Sequence, residues 1–532
     1  MRQTTEQTTA ATRSSQPVAG RPDLLLVNAR VLTLERGKPA AEAVAVTGDT
    51  IAAVGRRDQV SLLAAPGART IDCQGMTLLP GLIDAHCHLL ATAASMRGVD
   101  CSPDAVSSIH DVQMALRRRV ETTPEDRWIR GFGYDDVSLA EGRHPTRWDL
   151  DQAAPNHPVR LDHRSGHATV MNSLGLSMAG IGQDTPDPPQ GLIDREPQTG
   201  EPTGLLLELA GWLRERLGHS GDEAGFQEGL YMLDRMLLSY GITSVQDAGP
   251  DNGLDRWRTL GSIQDSGQLS CRVTMMAGAS KLQELVSEGL TWRSGDGRLR
   301  LGHVKLMLTL TTGALHPNME DLRDQVDQAH GMGFPVAIHA VEREAVEAAA
   351  SVVSAGDRIE HCAECPAELV AQVRSTGATV VTQPGFLYWN GDRYIQRVDP
   401  ELQPHLYPVG ALHQAGVPLA FGSDSPVADP NPWPAIYGAV TRTTRDGTKF
   451  PPIAGMSATS QEVPVTAALR MQTIGGAHAD GSGDRKGTIS RGKLADLVLV
   501  DADPTEVEPD KLKDIRAVMT VIGGNVVWSN GL

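Results

Sequence analysis

The sequence lacks several features that would assign it to a specialised class of protein. Its six cysteines are scattered over 532 residues, which does not resemble a disulfide framework and favours a reducing, cytoplasmic compartment. No stretch approaches the roughly 20 consecutive apolar residues of a membrane helix, so no membrane partner is expected. Basic residues number 48 against 65 acidic ones, and no dense basic run occurs. A chain with a formal charge of −17 would repel a phosphate backbone, so nucleic-acid binding is not expected.

The N-terminal segment also lacks an apolar core of the kind found in signal peptides. Residues 1–21 are rich in Thr, Gln, Ser and Ala, a composition typical of a disordered tail. The remaining chain is too long for one simple hydrophobic core, so two or three structural units are expected.

Five apolar runs end on, or carry, residues of the types that bind metal ions. The first ends in His86-Cys87-His88, and strand alternation puts the two imidazoles on one face with the thiol opposite. The four later runs carry Lys305, His339, His361 and Asp424. A single buried histidine is more often a hydrogen-bonded core residue than a ligand. The joint pattern, however, predicts a divalent metal site built from strand ends.

The middle of the chain contains eight candidate strands with helical patterns between several of them. These strands are Leu82–His86, Ile242–Asp247, Arg272–Met276, His303–Leu308, Pro335–His339, Arg358–His361, Ala378–Gln383 and Val417–Ser423. Repetition of strand and helix summing to eight predicts a (β/α)₈ TIM barrel, an α/β fold whose active site lies at the carboxyl ends of the strands.

Both ends of the chain differ from this middle, because they consist of β-type runs joined by Gly-containing turns. We therefore predict a small β-sandwich built from residues 22–79 and 486–532. Barrel strand 1 falls in residues 80–94 and the rest of the barrel in residues 236–485. The interval of 95–235 is far too long for an ordinary connection. It predicts an inserted subdomain after strand 1, placed to act as a lid over the catalytic face.

Several motifs together resemble the amidohydrolase superfamily, and in particular its YtcJ-like branch, which includes N-substituted formamide deformylases. The resemblance covers nearly the whole chain from about residue 22. It is carried by Leu79-Pro80-Gly81-Leu82-Ile83-Asp84-Ala85-His86-Cys87-His88, Pro145-Thr146-Arg147, Gly166-His167, Asn172, Pro202-Thr203-Gly204, Gly241-Ile242-Thr243-Ser244-Val245, Gly422-Ser423-Asp424-Ser425-Pro426 and Gly492-Lys493-Leu494-Ala495-Asp496.

The resemblance implies a binuclear metal centre. His86, His88 and Asp424 would bind one ion, and His339 and His361 a second. Lys305 would be carboxylated by carbon dioxide and bridge the two ions, which the resemblance implies are zinc, with manganese or iron as alternatives. A lysine in an apolar strand is costly to bury as a cation. An ordinary buried lysine–carboxylate pair remains the alternative for this residue.

Four further candidates concern the substrate rather than the metal. His167 and Asn172 resemble a family element that reaches the active site, with helix capping and packing as the alternative. Asp247 ends the second strand and is expected to orient either substrate or a histidine. Gln383 ends the seventh strand.

Aromatic residues make up only 4% of the chain, which makes one cluster of them conspicuous. Phe386, Tyr388 and Trp389 lie within four positions. We expect them to form one wall of an apolar substrate pocket, although a surface loop would have the same sequence. This wall and the acidic composition favour a neutral or cationic, partly apolar small-molecule substrate.

The predicted reaction is hydrolysis of a non-peptide C–N bond in an amide, an N-substituted formamide or a cyclic amide by metal-activated water. Asp424 would carry the proton, and a donor near His361 would polarise the carbonyl oxygen. A mononuclear deaminase of an aromatic ring and a non-catalytic binding protein are the alternatives. Thr309, Leu310, Glu342 and Arg343 depart from the residues usual in the branch, so the choice of substrate is left open. The sequence also leaves open whether the protein is a homodimer.

Overall fold

The computed structural model describes residues 21–37, 41–125, 127–188, 191–217, 223–310, 313–452 and 461–531. The predicted N-terminal tail, apart from its last residue, lies outside these ranges. No helix within them is long and apolar enough to cross a membrane.

The centre of the molecule is one sheet of eight parallel strands, which confirms the predicted barrel. Each strand hydrogen-bonds to the next in chain order. Apolar side chains on the outer face pack against the surrounding helices in the largest core of the molecule. The strands are Leu82–Cys87, Ile242–Asp247, Arg272–Gly278, Leu299–Met307, Val336–Ala340, Arg358–His361, Thr379–Thr382 and Leu419–Phe421.

The first and eighth strands meet at the point where two predicted metal ligands lie. The Asp424 amide donates to the His86 carbonyl at 2.7 Å, and the His88 amide donates to the Ser425 carbonyl at 2.8 Å. Gly422 allows this approach, because a Cβ atom there would lie 2.6 Å from the Cβ of His86. A larger residue would push apart the two strands that hold His86 and Asp424.

Helices connect most of the barrel strands, as the sequence predicted. Asn318 begins one of them by accepting hydrogen bonds from the backbone of the first turn, and Gly377 ends another in the left-handed conformation. The helices around the barrel are Leu254–Asp265, Leu282–Ser287, Met319–Gly331, Arg343–Ala350, Ala367–Thr376, Gly385–Trp389, Gly391–Arg397, Val409–Gln414, Pro432–Thr441, Val465–Arg470 and Gly476–Ala479.

The two ends of the chain together build a pair of sheets that pack on one shared core. Leu26 and Val46 of one sheet share this core with Leu497 and Val521 of the other. The four-stranded sheet contains Leu24–Val27, Ala43–Thr47, Thr50–Gly55 and Arg69–Asp72. The five-stranded sheet contains Arg30–Val31, Thr77–Pro80, Leu497–Val500, Ala517–Ile522 and Asn525–Ser529.

The segment between the first two barrel strands contains a separate six-stranded sheet with its own apolar core. Its strands are Val99–Asp100, Ile129–Tyr134, Val159–His163, Ala168–Met171, Leu192–Arg195 and Pro202–Leu207. The helices of the same segment are Leu89–Ser95, Ile109–Val120, Arg147–Asp151, Ser173–Met178, Ala210–Leu217 and Glu223–Ser239. Residues of this segment line the cavity at the carboxyl ends of the barrel strands.

Candidate metal centre and active site

A cavity of 1940 Å³ lies at the carboxyl ends of the barrel strands. All six residues predicted as metal ligands line it, although they come from five different strands or strand ends. They are His86, His88, Lys305, His339, His361 and Asp424.

His86, His88 and Asp424 form the tightest group of donor atoms in this cavity. One ligand atom from each residue lies within 4.8 Å of the other two. The Asp424 Oδ1 atom is 3.1 Å from His88 Nε2 and 3.5 Å from His86 Nε2. Two imidazole nitrogens and one carboxylate oxygen are a donor set that suits zinc and similar divalent ions. The residues present therefore fit the metal that the sequence predicted.

His339 and His361 form a second pair beside this group. Their ring centroids are 4.5 Å apart, and the His361 centroid is 4.8 Å from that of His86. Lys305 lies between strands that carry the two groups, with its Nζ atom 3.4 Å from His86 Nε2. Burial lowers the pKa of Lys305 to about 8 and holds the pKa of His339 below its usual range. The structure thus brings together all the predicted ligands.

Two buried charged residues support the His86 ring through its Nδ1 atom. The His86 Nδ1 atom is hydrogen-bonded to Glu360, whose carboxylate accepts hydrogen bonds from Arg358 at 2.7 and 3.0 Å. All three side chains are almost completely buried. A carboxylate on the outer nitrogen fixes the tautomer of a ligand histidine and directs its other nitrogen toward the metal. Sequence reasoning did not identify Glu360 or Arg358.

Glu360→Gln is expected to weaken metal binding about 10- to 100-fold. Glutamine keeps the shape of the side chain but removes the charge that orients His86 and balances Arg358. The dissociation constant for zinc, measured by competition with a chromogenic chelator, checks this. Glu368→Gln, which changes an exposed ion pair with Arg343, is the matched control. Unchanged zinc affinity in a folded Glu360→Gln protein would contradict the orienting role.

Two of the predicted ligand residues occupy a strained backbone conformation. His361 and Asp424 have φ angles of 68° and 59°, in the left-handed region that non-glycine residues rarely adopt. Surrounding contacts must hold a residue in such a conformation. Residues strained in this way are common at functional sites. The hydrogen bond from the Asp424 amide to the His86 carbonyl is one of the contacts that hold the Asp424 backbone in this conformation.

The carboxyl groups on the first and eighth strands differ in their surroundings. Burial opposes ionisation of Asp424, but the hydrogen bond with His88 and the charges of His86 and His361 together lower its pKa. Burial raises the pKa of Asp84 to about 6. Asp84 accepts hydrogen bonds from the Ser423 hydroxyl at 2.6 Å and amide at 2.9 Å, and thereby fixes the residue next to Asp424.

His167 and Asp247 also line the cavity. The His167 ring is 5.8 Å from the His339 ring, and its Nδ1 atom is 3.0 Å from Glu208. Asp247 accepts a hydrogen bond from the Leu89 amide at 2.7 Å and another from Asn252 at 2.7 Å. Both residues are therefore placed where a substrate could contact them.

The structure does not bring Asn172, Gln383 or Trp389 to the cavity wall. Asn172 is fully buried and bonds only to the backbone: it caps the helix Ser173–Met178 and accepts from the Val159 amide. These contacts match the capping alternative, because a completely bonded amide has nothing left to offer a substrate.

Gln383 and Trp389 are both absent from the lining of the cavity. The Gln383 Oε1 atom is 2.9 Å from His361 Nδ1, so it is placed to orient this candidate ligand and does not line the cavity. Trp389 packs edge-on against Tyr388 and under Arg445, and Phe386 packs against Tyr407. The predicted aromatic wall is therefore not part of this cavity, because the helix Gly385–Trp389 directs these rings into neighbouring packing.

A second group of close carboxylate and imidazole atoms lies in the inserted sheet. It contains Asp135, Asp136 and His163. Arg164 and Arg393 donate to the Asp135 carboxylate at 3.2 and 2.9 Å, so two cations already balance the buried charge. We describe this group as an ion-pair network that ties the insertion to the barrel.

Comparison with known proteins agrees with this geometry. The sequence model of the Amidohydrolase family matches residues 69–528, and the chain belongs to that family. It is 29% identical to the N-substituted formamide deformylase of Arthrobacter pascens, over 94% of this chain and 97% of that protein. It is 26% identical to the putative amidohydrolase YtcJ of Bacillus subtilis (strain 168), over 92% and 96%.

Among solved structures, an uncharacterized metal-dependent hydrolase from Pyrococcus horikoshii OT3 superimposes with a TM-score of 0.73. The match covers 92% of this chain and 99% of that one, at 24% identity, and it shows a shared fold. The family resemblance stated from the motifs is confirmed. The chain is a metal-dependent hydrolase that acts on carbon–nitrogen bonds other than peptide bonds.

Proposed function

We propose that this enzyme hydrolyses the C–N bond of a small-molecule amide, with N-substituted formamides as the first class to test and cyclic amides as the second. The observation that carries the proposal is the convergence of His86, His88, His339, His361 and Asp424 on one cavity wall. The similarity to a protein named N-substituted formamide deformylase supports the choice of substrate class.

His86, His88 and Asp424 would hold one divalent ion, and His339 and His361 a second, with zinc as the first candidate and manganese or iron as alternatives. Lys305, as a carbamate formed from its neutral amine and carbon dioxide with loss of one proton, would supply the shared negative ligand. When bound, divalent ions lower the pKa of water to about 7 and polarise a carbonyl oxygen.

Asp424 is the proton carrier in this proposal. Its carboxylate lies beside His86 and His88 and faces the cavity, where it can accept the proton of the attacking water and return it to the leaving nitrogen. His361, held through its other ring nitrogen by Gln383, is fixed in orientation toward the same space.

Asp424→Asn should lower kcat by a factor of about 10² to 10⁴, the usual range for loss of general acid–base catalysis. Because the amide oxygen remains a possible ligand, metal content should fall less than activity. Steady-state kinetics with metal analysis of the same sample checks both quantities. Near-normal kcat at saturating substrate would show that another group moves the proton, and His167 would be the next residue to test.

A substrate panel tests the reaction class. N-formyl amines, N-acyl amino acids, hydantoins and aminated aromatic rings are incubated with enzyme supplemented with zinc or manganese, and carboxylate and ammonia are measured separately. The proposal predicts carboxylate release with an equimolar amine from at least one amide class. Ammonia release from aminated rings alone would overturn it.

A mononuclear deaminase is the second candidate function. Among the described His, Cys, Asp and Glu side chains that line the cavity, His86, His88 and Asp424 are the three whose donor atoms lie mutually within 4.8 Å, an arrangement that suits one ion. A stoichiometry of one metal per chain together with ammonia release would favour this candidate.

A further inference from the structure

The inserted segment reaches the cavity through the turn of one β-hairpin. The strands Val159–His163 and Ala168–Met171 pair antiparallel, and the turn of this hairpin, residues 163–167, lines the cavity. Its last residue, His167, is 5.8 Å by ring centroid from the predicted ligand His339. The position of the hairpin turn therefore determines how close His167 lies to the metal ligands.

Hydrogen bonds within the hairpin turn join its two ends. The Gly166 amide donates to the His163 carbonyl at 3.0 Å, and the His167 amide donates to the Ser165 hydroxyl at 3.3 Å. Gly166 has a φ angle of 75°, which glycine adopts without steric cost. Because these bonds connect the start of the turn with its end, a contact that fixes Arg164 also restrains His167.

Arg164 connects the hairpin turn to the barrel. It donates to the Asp135 carboxylate at 3.2 Å and to the side-chain oxygen of Asn390. The same oxygen of Asp135 accepts a hydrogen bond from Arg393 at 2.9 Å. Arg393 belongs to the helix Gly391–Arg397, which Asn390 immediately precedes. One short barrel helix thus supports Arg164 both directly and through a carboxylate.

The electrostatics of Asp135 make the contact with Arg393 important. The Asp135 side chain is completely buried. Burial opposes its ionisation, but the charges of Arg393 and Arg164 together lower its pKa. A buried carboxylate that loses one of its cations is strongly destabilised. Loss of Arg393 would therefore disturb the Asp135–Arg164 pair and remove its charged link to the barrel.

We propose that Arg393 is a positioning residue for the reaction, because it fixes the hairpin turn that presents His167 to the substrate. It acts through Asp135 and Arg164, and it does not itself line the cavity. The Glu208 carboxylate, 3.0 Å from His167 Nδ1, fixes the ring, while Arg393 fixes the backbone that carries it. This inference rests on the proposed function and assigns to that reaction a residue outside the cavity.

The first experiment measures hydrogen exchange of the zinc-loaded enzyme and needs no turnover. Methionine at position 393 keeps an unbranched side chain without charge, and the native side chain is 37% exposed, so the fold should remain intact. We expect amides of residues 163–167 to exchange about tenfold faster in Arg393→Met, with the barrel strands unchanged. Arg393→Lys keeps a cation and should exchange at nearly the wild-type rate.

Asp104→Asn is the matched control. Asp104 lies in the inserted segment and pairs with Arg445 of the barrel at 2.8 Å, but both side chains are exposed and neither lines the cavity. Loss of an exposed ion pair has little effect on structure. This variant should leave exchange of the hairpin turn unchanged.

The second experiment measures hydrolysis of an N-substituted formamide. Arg393→Met should lower kcat/KM by a factor of about 10 to 100 without loss of zinc, since small displacements of a positioned group have effects of this size. In a His167→Ala background the same substitution should cost much less, because Arg393 acts through His167. A residue that serves the fold alone would give equal factors in both backgrounds.

Unchanged exchange of the hairpin turn in Arg393→Met, or equal factors in the two backgrounds, would overturn the inference. Should Arg393→Met not fold, Asn390→Ala removes the other barrel contact of Arg164 and must change exchange and kcat/KM in the same directions. If Arg393→Met hydrolyses formamides as well as wild type does, the proposed function stands and the inference fails. Faster exchange in a protein that hydrolyses no amide would refute the proposed function and leave the link between Arg393 and the turn in place.

Discussion

Replacing His86 with alanine should reduce hydrolysis to background and sharply lower the bound metal, while the barrel remains folded. His86 contributes to the group with His88 and Asp424 and lies within 4.8 Å, by ring centroid, of His361, so its loss affects both halves of the site. Glu360 would keep its ion pair with Arg358, which limits the structural damage. Metal analysis, steady-state kinetics and a thermal melt of one preparation measure the three effects.

His303→Ala provides the matched control. His303 is also a buried histidine on a barrel strand, but its Nε2 atom is hydrogen-bonded to the Gly356 carbonyl at 3.1 Å and it is not among the residues that line the cavity. This variant should lose stability but retain metal. If His86→Ala kept normal activity and metal content, the proposed ligand set would be contradicted.

Lys305→Ala is expected to be nearly inactive, and acetate or propionate should partly restore its activity. A free carboxylate can occupy the space left by the side chain and supply the negative charge that a carbamate would supply. Lys305→Arg should also fail, because guanidinium keeps its positive charge and cannot take up carbon dioxide. The restored fraction is measured by titrating each variant with the short acids at fixed substrate.

The chemical state of Lys305 distinguishes a binuclear metal centre from a mononuclear one. The binuclear proposal predicts two metals per chain and extra density on the Lys305 amine in a crystal structure of the metal-loaded enzyme. Full activity with a single ion and an unmodified Lys305 paired to a carboxylate would refute it and favour the mononuclear alternative.

The barrel, and the gathering of the candidate ligands at one end of it, were predictable because their signals are local. Parallel strands buried on both faces produce apolar runs, and a ligand such as His339 or Asp424 follows such a run directly. The fold then brings consecutive strand ends to one side of the barrel. Each run was short enough to identify from the sequence, and the number of runs determined the architecture.

The role of Glu360 and Arg358 in positioning His86 was not predicted, although one feature of the sequence pointed to these two residues. Arg358 and Glu360 alternate with apolar Ile359 in the sixth strand, so the two charged side chains face the same way. Buried opposite charges on one strand face require partners. Their contact with His86 is set by the closure of the barrel and cannot be found from local pattern.

The three substrate candidates that do not line the cavity, Asn172, Gln383 and Trp389, show a different limit. Asn172 is equally suited to capping a helix and to binding a ligand, and its direction depends on packing around it. The sequence around Trp389 suggested a pocket residue, but the ring packs against Tyr388 and does not line the cavity.

Removal and return of metal tests the central proposal most directly. The enzyme is treated with a chelator, dialysed, and assayed with an N-substituted formamide before and after addition of zinc or manganese, with formate and amine both quantified. We predict that activity disappears with the metal and returns with it, and that formate and amine appear in equal amounts. Full activity of the metal-free protein would contradict the proposed mechanism.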